Sequence, residues 1–137
     1  MADVSIRGCT VLVVENEFMI AEDLSSSLVD VGAVVLGPVS SVPAALALLA
    51  AEPDIHGAVL DINLNGHMVF PVADALAMRQ VPFVFATGYD QSFVPEAYAG
   101  VLRFQKPVDT AKMLRAIGRQ IRSRASFRLV TERSPTR

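Results

Sequence analysis

Four apolar runs in this chain each lead directly into side chains that can take part in chemistry. In chain order, the residues that follow these runs are Glu15 and Asn16, then Asp61, then Thr87, and finally Lys106. Parallel strands bring their carboxyl ends to one edge of a sheet, which is where ligands bind in open α/β folds. A nucleophilic carboxylate, further oxygen ligands, a hydroxyl and an ammonium group at one edge favour phosphoryl chemistry, which requires positioning and charge neutralisation.

The segments around these residues alternate between strand and helix patterns. Strands are predicted near 10–14, 34–36, 57–60, 81–86 and 101–104, and helices near 17–31, 44–51, 71–79 and 109–124. The segment 89–97 is a weak helix candidate because Gly88 and Pro95 interrupt it. Continuous apolar strands that alternate with helices predict an α/β fold, a doubly wound (βα)5 arrangement with a five-stranded parallel sheet in a three-layer α/β/α sandwich.

Local signals set the expected ends of several elements. Gly37 and Pro38 are expected to close the second strand, whereas Ser40 or Ser41 can cap the helix that follows it. Asp109 is a candidate cap for the last helix. The first helix is expected to bury one apolar stripe, made of Phe18, Ala21, Leu24, Leu28 and Val31.

Length and composition point to one well-filled domain. The chain has 137 residues, of which 52% are hydrophobic, and its single cysteine, Cys9, excludes an internal disulfide and fits a small buried side chain. No apolar stretch reaches the length of a membrane span, and the first residues lack the charged-then-apolar pattern of a signal peptide. A cytoplasmic location is therefore expected.

Charge is distributed unevenly along the chain. Eight of the 12 basic residues lie from Lys112 onward, where Glu132 is the only acid. We divide the chain into a domain over 1–124 and a basic, flexible C-terminal tail over 125–137. The tail can serve as an interaction segment or simply be a solvated end. Nucleic-acid binding is disfavoured, because the arginines lack interleaved aromatic residues and the rest of the chain is acidic.

The order of the four sites resembles that of a response-regulator receiver domain, over about residues 8–124. An acidic position comes after the first strand and Asp61 comes after the third strand. Thr87 comes after the fourth strand, and Lys106 with Pro107 comes after the fifth. Within that family, the run Phe-Ala-Thr-Gly at 85–88 is similar to a subgroup of single-domain receivers. The resemblance implies a flavodoxin-like fold and a role in a two-component phosphorelay.

The resemblance also implies roles for individual residues. Asp61 is expected to accept a phosphoryl group, assisted by Lys106 as a positive charge and Thr87 as a hydroxyl donor. A Mg²⁺ ion is the expected cofactor. Its implied ligands are Glu15, Asn16, Asp61 and the backbone carbonyl of Asn63. The resemblance further suggests a cis peptide bond between Lys106 and Pro107.

The implied partners are a sensor histidine kinase or a histidine phosphotransfer protein, together with an unknown downstream protein. No room remains after residue 124 for an output module, so action through other proteins is expected. Dimerisation is left open. The chain is not expected to be a conventional enzyme, since it would catalyse only its own phosphorylation and a slow autodephosphorylation.

Two positions depart from the family pattern. Asn16 stands where a carboxylate normally contacts the metal, and an amide oxygen brings no formal charge, so weaker Mg²⁺ binding is expected. Arg103 stands where receivers commonly carry an aromatic switch residue, and the adjacent Phe104 is expected to face the other side of the sheet. Ordering of the segment 89–97 is an alternative switch.

Other functions compete with phosphoryl acceptance. A degenerate receiver that binds proteins without phosphorylation is the main alternative, favoured by Asn16 and Arg103. A phosphatase with an aspartyl-phosphate intermediate is disfavoured because it needs an aspartate at the position of Asn63. A nucleotide-binding domain lacks its glycine-rich loop here. His56 and His67 are expected to be solvent-facing loop residues.

Overall fold

The computed structural model describes residues 5–88 and 94–133, with side chains of the last helix up to residue 124. Seven strands are present in the described residues: β1 (Thr10–Val14), β2 (Val34–Val39), β3 (Gly57–Asp61), β4 (Asn63–Leu64), β5 (His67–Met68), β6 (Phe83–Thr87) and β7 (Arg103–Gln105). The helices are α1 (Phe18–Asp30), α2 (Val42–Ala51), α3 (Phe70–Met78) and α4 (Thr110–Arg133), with a 3-10 helix at Glu96–Tyr98.

The long strands form one parallel sheet in the order β2-β1-β3-β6-β7. This order places a topological switch point between β1 and β3, where successive connections leave in opposite directions. The prediction of an α/β fold with a five-stranded parallel sheet is confirmed. Four α-helices cover the sheet, and between β6 and β7 the described residues contribute only the 3-10 helix.

Two apolar cores lie on opposite faces of the sheet, because successive strand residues point to alternate sides. Leu12, Leu60 and Phe85 pack on the face covered by α2 and α3. Val13 and Val59 pack on the face covered by α1 and α4. The strands β3 and β6 are buried along their whole length, which explains why their sequences are continuous apolar runs rather than alternating patterns.

Two expected features of the first βαβ unit are wrong. The strand β2 does not close at Gly37 but continues to Val39, with an irregularity in its pairing to β1. Gly37 has φ of +100°, and a Cβ there would lie 2.9 Å from the carbonyl oxygen of Val13. The predicted apolar stripe of α1 is buried only in its middle, since Phe18 is 72% and Val31 is 42% exposed.

Predicted helix starts agree with the observed caps. The Ser41 hydroxyl accepts the backbone N–H of Ala44 at 3.2 Å, and the Asp109 carboxylate accepts that of Lys112 at 3.2 Å. The last helix differs from the prediction at its other end, because it continues beyond Arg124 to Arg133 and thus into the segment assigned to a flexible tail. No helix of the described part of the chain is both long and apolar enough to span a membrane.

A short antiparallel hairpin follows β3 and was not predicted. Strands β4 and β5 pair Asn63 with Met68 and Leu64 with His67. The two turn residues are Asn65 and Gly66, with φ of 56° and 91°. Positive φ at both positions is the geometry that favours Asn-Gly in two-residue hairpins, so this dipeptide was the sequence signal that could have revealed the turn.

The connection from β6 to β7 is held against the sheet by an aromatic cluster. Tyr98, at the end of the 3-10 helix, packs among Phe70, Phe83 and Phe85 with ring centroids 5.8–6.2 Å apart. Its phenol donates a hydrogen bond to the carboxylate of Asp74 on α3. The predicted weak helix over 89–97 lies partly outside the described residues, which exclude 89–93.

Candidate functional site

The sheet brings the predicted site residues to one edge. Asp61 ends β3 and Thr87 ends β6, while Glu15 and Lys106 directly follow β1 and β7. The four strands involved are consecutive neighbours in the sheet, and the register places Asp61 beside Ala86, the residue before Thr87. The expectation that these side chains share one edge is met.

The ammonium group of Lys106 is surrounded by three carboxylates. Its Nζ lies 3.0 Å from Glu15 Oε2, 2.9 Å from Glu17 Oε1 and 3.2 Å from Asp61 Oδ2. Burial disfavours the charged lysine, but hydrogen bonds to Glu17 and Glu15 outweigh that effect and raise the pKa of Lys106. Lys106 therefore stays protonated. Of its three partners, Glu17 was not predicted as a site residue.

Glu15 is buried behind this cluster, with 3% of its surface exposed. Its Oε2 atom accepts hydrogen bonds from Lys106 and from the backbone N–H of Glu17, whereas its Oε1 atom is buried without a partner. Burial is the main cause that raises the pKa of Glu15 to about 7, and the nearby charge of Asp61 adds to it. Burial therefore disfavours the ionised form of the Glu15 carboxyl group.

A cavity of about 290 Å³ opens over Asp61 and Lys106. The lining residues are Asn16, Glu17, Asp61, Asn63, Asn65, Gly66, Gly88 and Lys106. Three of the four predicted metal ligands therefore meet here. The fourth, Glu15, is not among the residues that line this cavity in the described structure; it lines a separate one with Phe18 and Pro38.

The hairpin β4–β5 holds the amide side chains of the cavity in place. Asn16 Nδ2 donates to Asn65 Oδ1 at 3.0 Å, and Asn63 Oδ1 accepts the backbone N–H of Gly66 at 2.6 Å. The Asn63 side-chain oxygen is thus engaged in the turn. Asn65 was missed by sequence reasoning because its contact with Asn16 spans 49 positions.

The donor set of the cavity suits a hard divalent cation. Carboxylate, amide and backbone carbonyl oxygens are available from Asp61, Asn16 and Asn63, and Mg²⁺ prefers such ligands together with retained waters. Within the described residues, no group of three or more His, Cys, Asp or Glu side chains is arranged to hold a metal alone. A cation here would rely on amide, carbonyl and water oxygens as well as carboxylates.

Thr87 directly precedes the cavity-lining Gly88, and its hydroxyl is engaged in a local hydrogen bond. The residue is buried, and its Oγ1 donates to the carbonyl oxygen of Gly88 at 3.0 Å. Gly88 lines the cavity. A hydrogen bond from Thr87 to a bound group would require this local contact to be exchanged.

Phe104 faces the side of the sheet that was expected, and both histidines are exposed as expected. Arg103 is exposed beside Phe85, and Phe104 is half-buried against the α1 and α4 face, on the side opposite to Phe85. His67 is exposed at the hairpin. His56 is also exposed, and its Nδ1 accepts the backbone N–H of Thr10 at 2.9 Å.

A five-stranded parallel sheet with a polar cavity at its carboxyl edge defines the class of flavodoxin-like α/β folds. The predicted cis peptide bond between Lys106 and Pro107 is present. No family model matches the sequence, and no curated protein matches it. Solved structures do match.

SdrG from Sphingomonas melonis Fr1 is 38% identical, with 80% of this chain and 96% of SdrG covered and a TM-score of 0.70. The BeF3-activated conformation of SdrG, from Pseudomonas melonis Fr1, is 35% identical over 82% of this chain and 95% of the other, with a TM-score of 0.67. A response regulator receiver protein from Sinorhizobium medicae WSM419 shares the fold at 23% identity, 88% and 99% coverage and a TM-score of 0.72. The chain belongs to the response-regulator receiver family.

Proposed function

We propose that this receiver accepts a phosphoryl group on Asp61 from a histidine kinase or a histidine phosphotransfer protein. The observation that carries the proposal is the pairing of Asp61 Oδ2 with Lys106 Nζ at 3.2 Å, at the floor of an open polar cavity. An ammonium group beside the acceptor carboxylate neutralises charge that develops on the transferred phosphoryl oxygens. The similarity to SdrG, which has been solved in a BeF3-activated conformation, supports the same reading.

In the proposed step, a carboxylate oxygen of Asp61 forms a bond to phosphorus while the phosphorus–nitrogen bond of the donor phosphohistidine breaks. The electron pair of that bond stays on the imidazole, and an aspartyl phosphate results. Lys106 holds one phosphoryl oxygen, and Thr87 donates to another after it leaves the Gly88 carbonyl. Asp61, Asn16 and the Asn63 carbonyl would hold a Mg²⁺ ion, which would supply positive charge to the developing phosphoryl charge.

Intact-mass spectrometry tests this proposal. We expect purified protein with Mg²⁺ and acetyl phosphate or phosphoramidate to gain the mass of one phosphoryl group, and Asp61→Asn to gain none. Asp54→Asn is the matched control, because Asp54 is an exposed loop carboxylate away from the cavity. Equal labelling of Asp61→Asn and the wild type would contradict the assignment of Asp61.

A second candidate is a receiver that binds proteins without being phosphorylated. It is favoured by Asn16, which brings no charge to the cavity, and by the Thr87 hydroxyl, which is already bonded to Gly88. This function predicts no mass gain from small donors or from a phosphorylated histidine kinase. Repeating the mass measurement with a phosphorylated histidine kinase as the donor therefore separates the two candidates.

A further inference from the structure

We propose that Glu17, and not Glu15, supplies the second anionic ligand for the divalent cation, in compensation for the missing carboxylate at Asn16. The inference deepens the proposed function and rests on its metal site. Glu17 lines the cavity beside Asn16 and Asp61, and Glu15 does not. Glu15, at the position where the family has an acid, therefore has a structural role in this chain. The negative charge that faces the cavity comes from Glu17 instead.

Burial separates the two glutamates. The Glu15 side chain is 1% exposed, and its Oε2 atom is already fixed by Lys106 and the Glu17 backbone N–H. The Glu17 side chain is 56% exposed, and its Oε1 atom has one partner, Lys106, at 2.9 Å. Only the glutamate end of this ion pair is exposed, because the Lys106 side chain is 15% exposed. Glu17 can therefore leave the pair without stranding a buried carboxylate. Glu17 is therefore free to turn from the lysine to a cation, whereas Glu15 is not.

Charge balance in the cavity supports the exchange. Among the described residues that line the cavity, Asp61 and Glu17 present two carboxylates and Lys106 presents one ammonium group. A phosphoryl group needs Lys106 at one of its oxygens, which removes the neutralising partner of Glu17. A divalent cation held by Asp61 and Glu17 restores the balance, and Asn16 needs only to add a neutral amide oxygen.

A Mg²⁺ titration without any phosphodonor tests the inference. Binding is monitored by the amide NMR signals of Gly66 and Gly88, which line the cavity. We expect Glu17→Gln to weaken Mg²⁺ binding about tenfold or more. Glu22→Gln, an exposed carboxylate one turn further along α1, is the matched control and should leave binding unchanged. If Glu17 compensates for the missing carboxylate at residue 16, Asn16→Asp should raise Mg²⁺ affinity more in Glu17→Gln than in the wild type. Equal gains in the two backgrounds would contradict compensation.

Unchanged Mg²⁺ affinity in Glu17→Gln would overturn the inference, and so would a larger loss in Glu15→Gln. Absence of any saturable Mg²⁺ effect at the cavity of the wild type would overturn it as well. Phosphorylation of Asp61 is measured separately, by mass at high Mg²⁺. Wild-type labelling together with unaltered Mg²⁺ binding in Glu17→Gln would reject the role of Glu17 and leave the proposed function standing.

Discussion

Among single residues, Asn16 lowers the negative charge of the cavity, because it places a neutral amide where the family normally has a carboxylate. Its amide nitrogen donates to Asn65 Oδ1 at 3.0 Å, so the hairpin fixes the orientation of the side chain. We expect Asn16→Asp to bind Mg²⁺ about tenfold more tightly, because a carboxylate adds the formal charge that an amide lacks. Phosphorylation by acetyl phosphate should then saturate at lower Mg²⁺.

The measurement is the Mg²⁺ dependence of the initial phosphorylation rate, in the wild type, Asn16→Asp and Ser26→Asp. Ser26→Asp adds the same charge at an exposed position of α1 and serves as the control. Part of the gain is offset because Asn65 must rotate its amide to donate to the new carboxylate. A half-saturating Mg²⁺ concentration equal in Asn16→Asp and the wild type would show that residue 16 does not contact the cation.

At the scale of secondary-structure elements, Tyr98 joins the β6–β7 connection to α3. The residue is 9% exposed, and burial together with the hydrogen bond to Asp74 raises the pKa of its phenol to about 12. We expect Tyr98→Phe to lower the free energy of unfolding by about 1 kcal/mol, since it keeps the ring packing and removes one hydrogen bond to a solvent-exposed acceptor.

Urea denaturation of Tyr98→Phe, Asp74→Asn and the double variant measures this contribution as a double-mutant cycle. The expected result is a double variant less destabilised than the sum of the two single variants. Strict additivity would mean that the hydrogen bond contributes nothing and that the aromatic contacts alone hold the connection.

Arg79 makes another contact between elements that no pattern in the sequence indicates. Its guanidinium donates to the carbonyl oxygens of Leu49, Glu52 and Pro53, at 2.7–3.0 Å, and so caps the end of α2 from the end of α3. The last carbonyls of a helix have no partner within the helix, so such a cap satisfies groups that would otherwise need water. The contact joins Arg79 to backbone carbonyls 26 to 30 positions earlier in the chain, so no local sequence pattern reveals it.

Across the whole molecule, hydrophobic patterning was enough to predict the sheet, and the ends of its apolar runs predicted Asp61, Asn16 and Lys106 at one cavity. Side-chain direction was not predictable in the same way. Glu15 and Glu17 are two positions apart, yet one is buried and the other lines the cavity, a difference that hydrophobic patterning does not encode. The hairpin was missed because its strands have two residues each.

Burial of Glu15 at the carboxyl edge makes global stability depend on pH. The pKa of Glu15 is raised to about 7 in the folded chain from an ordinary value of 4.5. Between these values the folded state binds more protons than the unfolded state, so the free energy of unfolding falls as pH rises. The stabilising contribution is complete below pH 4.5 and is lost as pH passes through about 7.

Glu15→Gln removes this titration and retains an oxygen that can accept the hydrogen bond from Lys106. In urea denaturation with EDTA, at several pH values from 5 to 8, we expect the stability difference between Glu15→Gln and the wild type to move in favour of the variant as pH rises. Glu52→Gln, which changes a carboxylate that lies outside the cavity, controls for the general effect of charge. A difference that stays constant with pH would mean that Glu15 is ionised throughout this range and that Lys106 fully compensates its burial. An ionised Glu15 would also make the carboxyl edge of the sheet more negative and so more attractive to a cation.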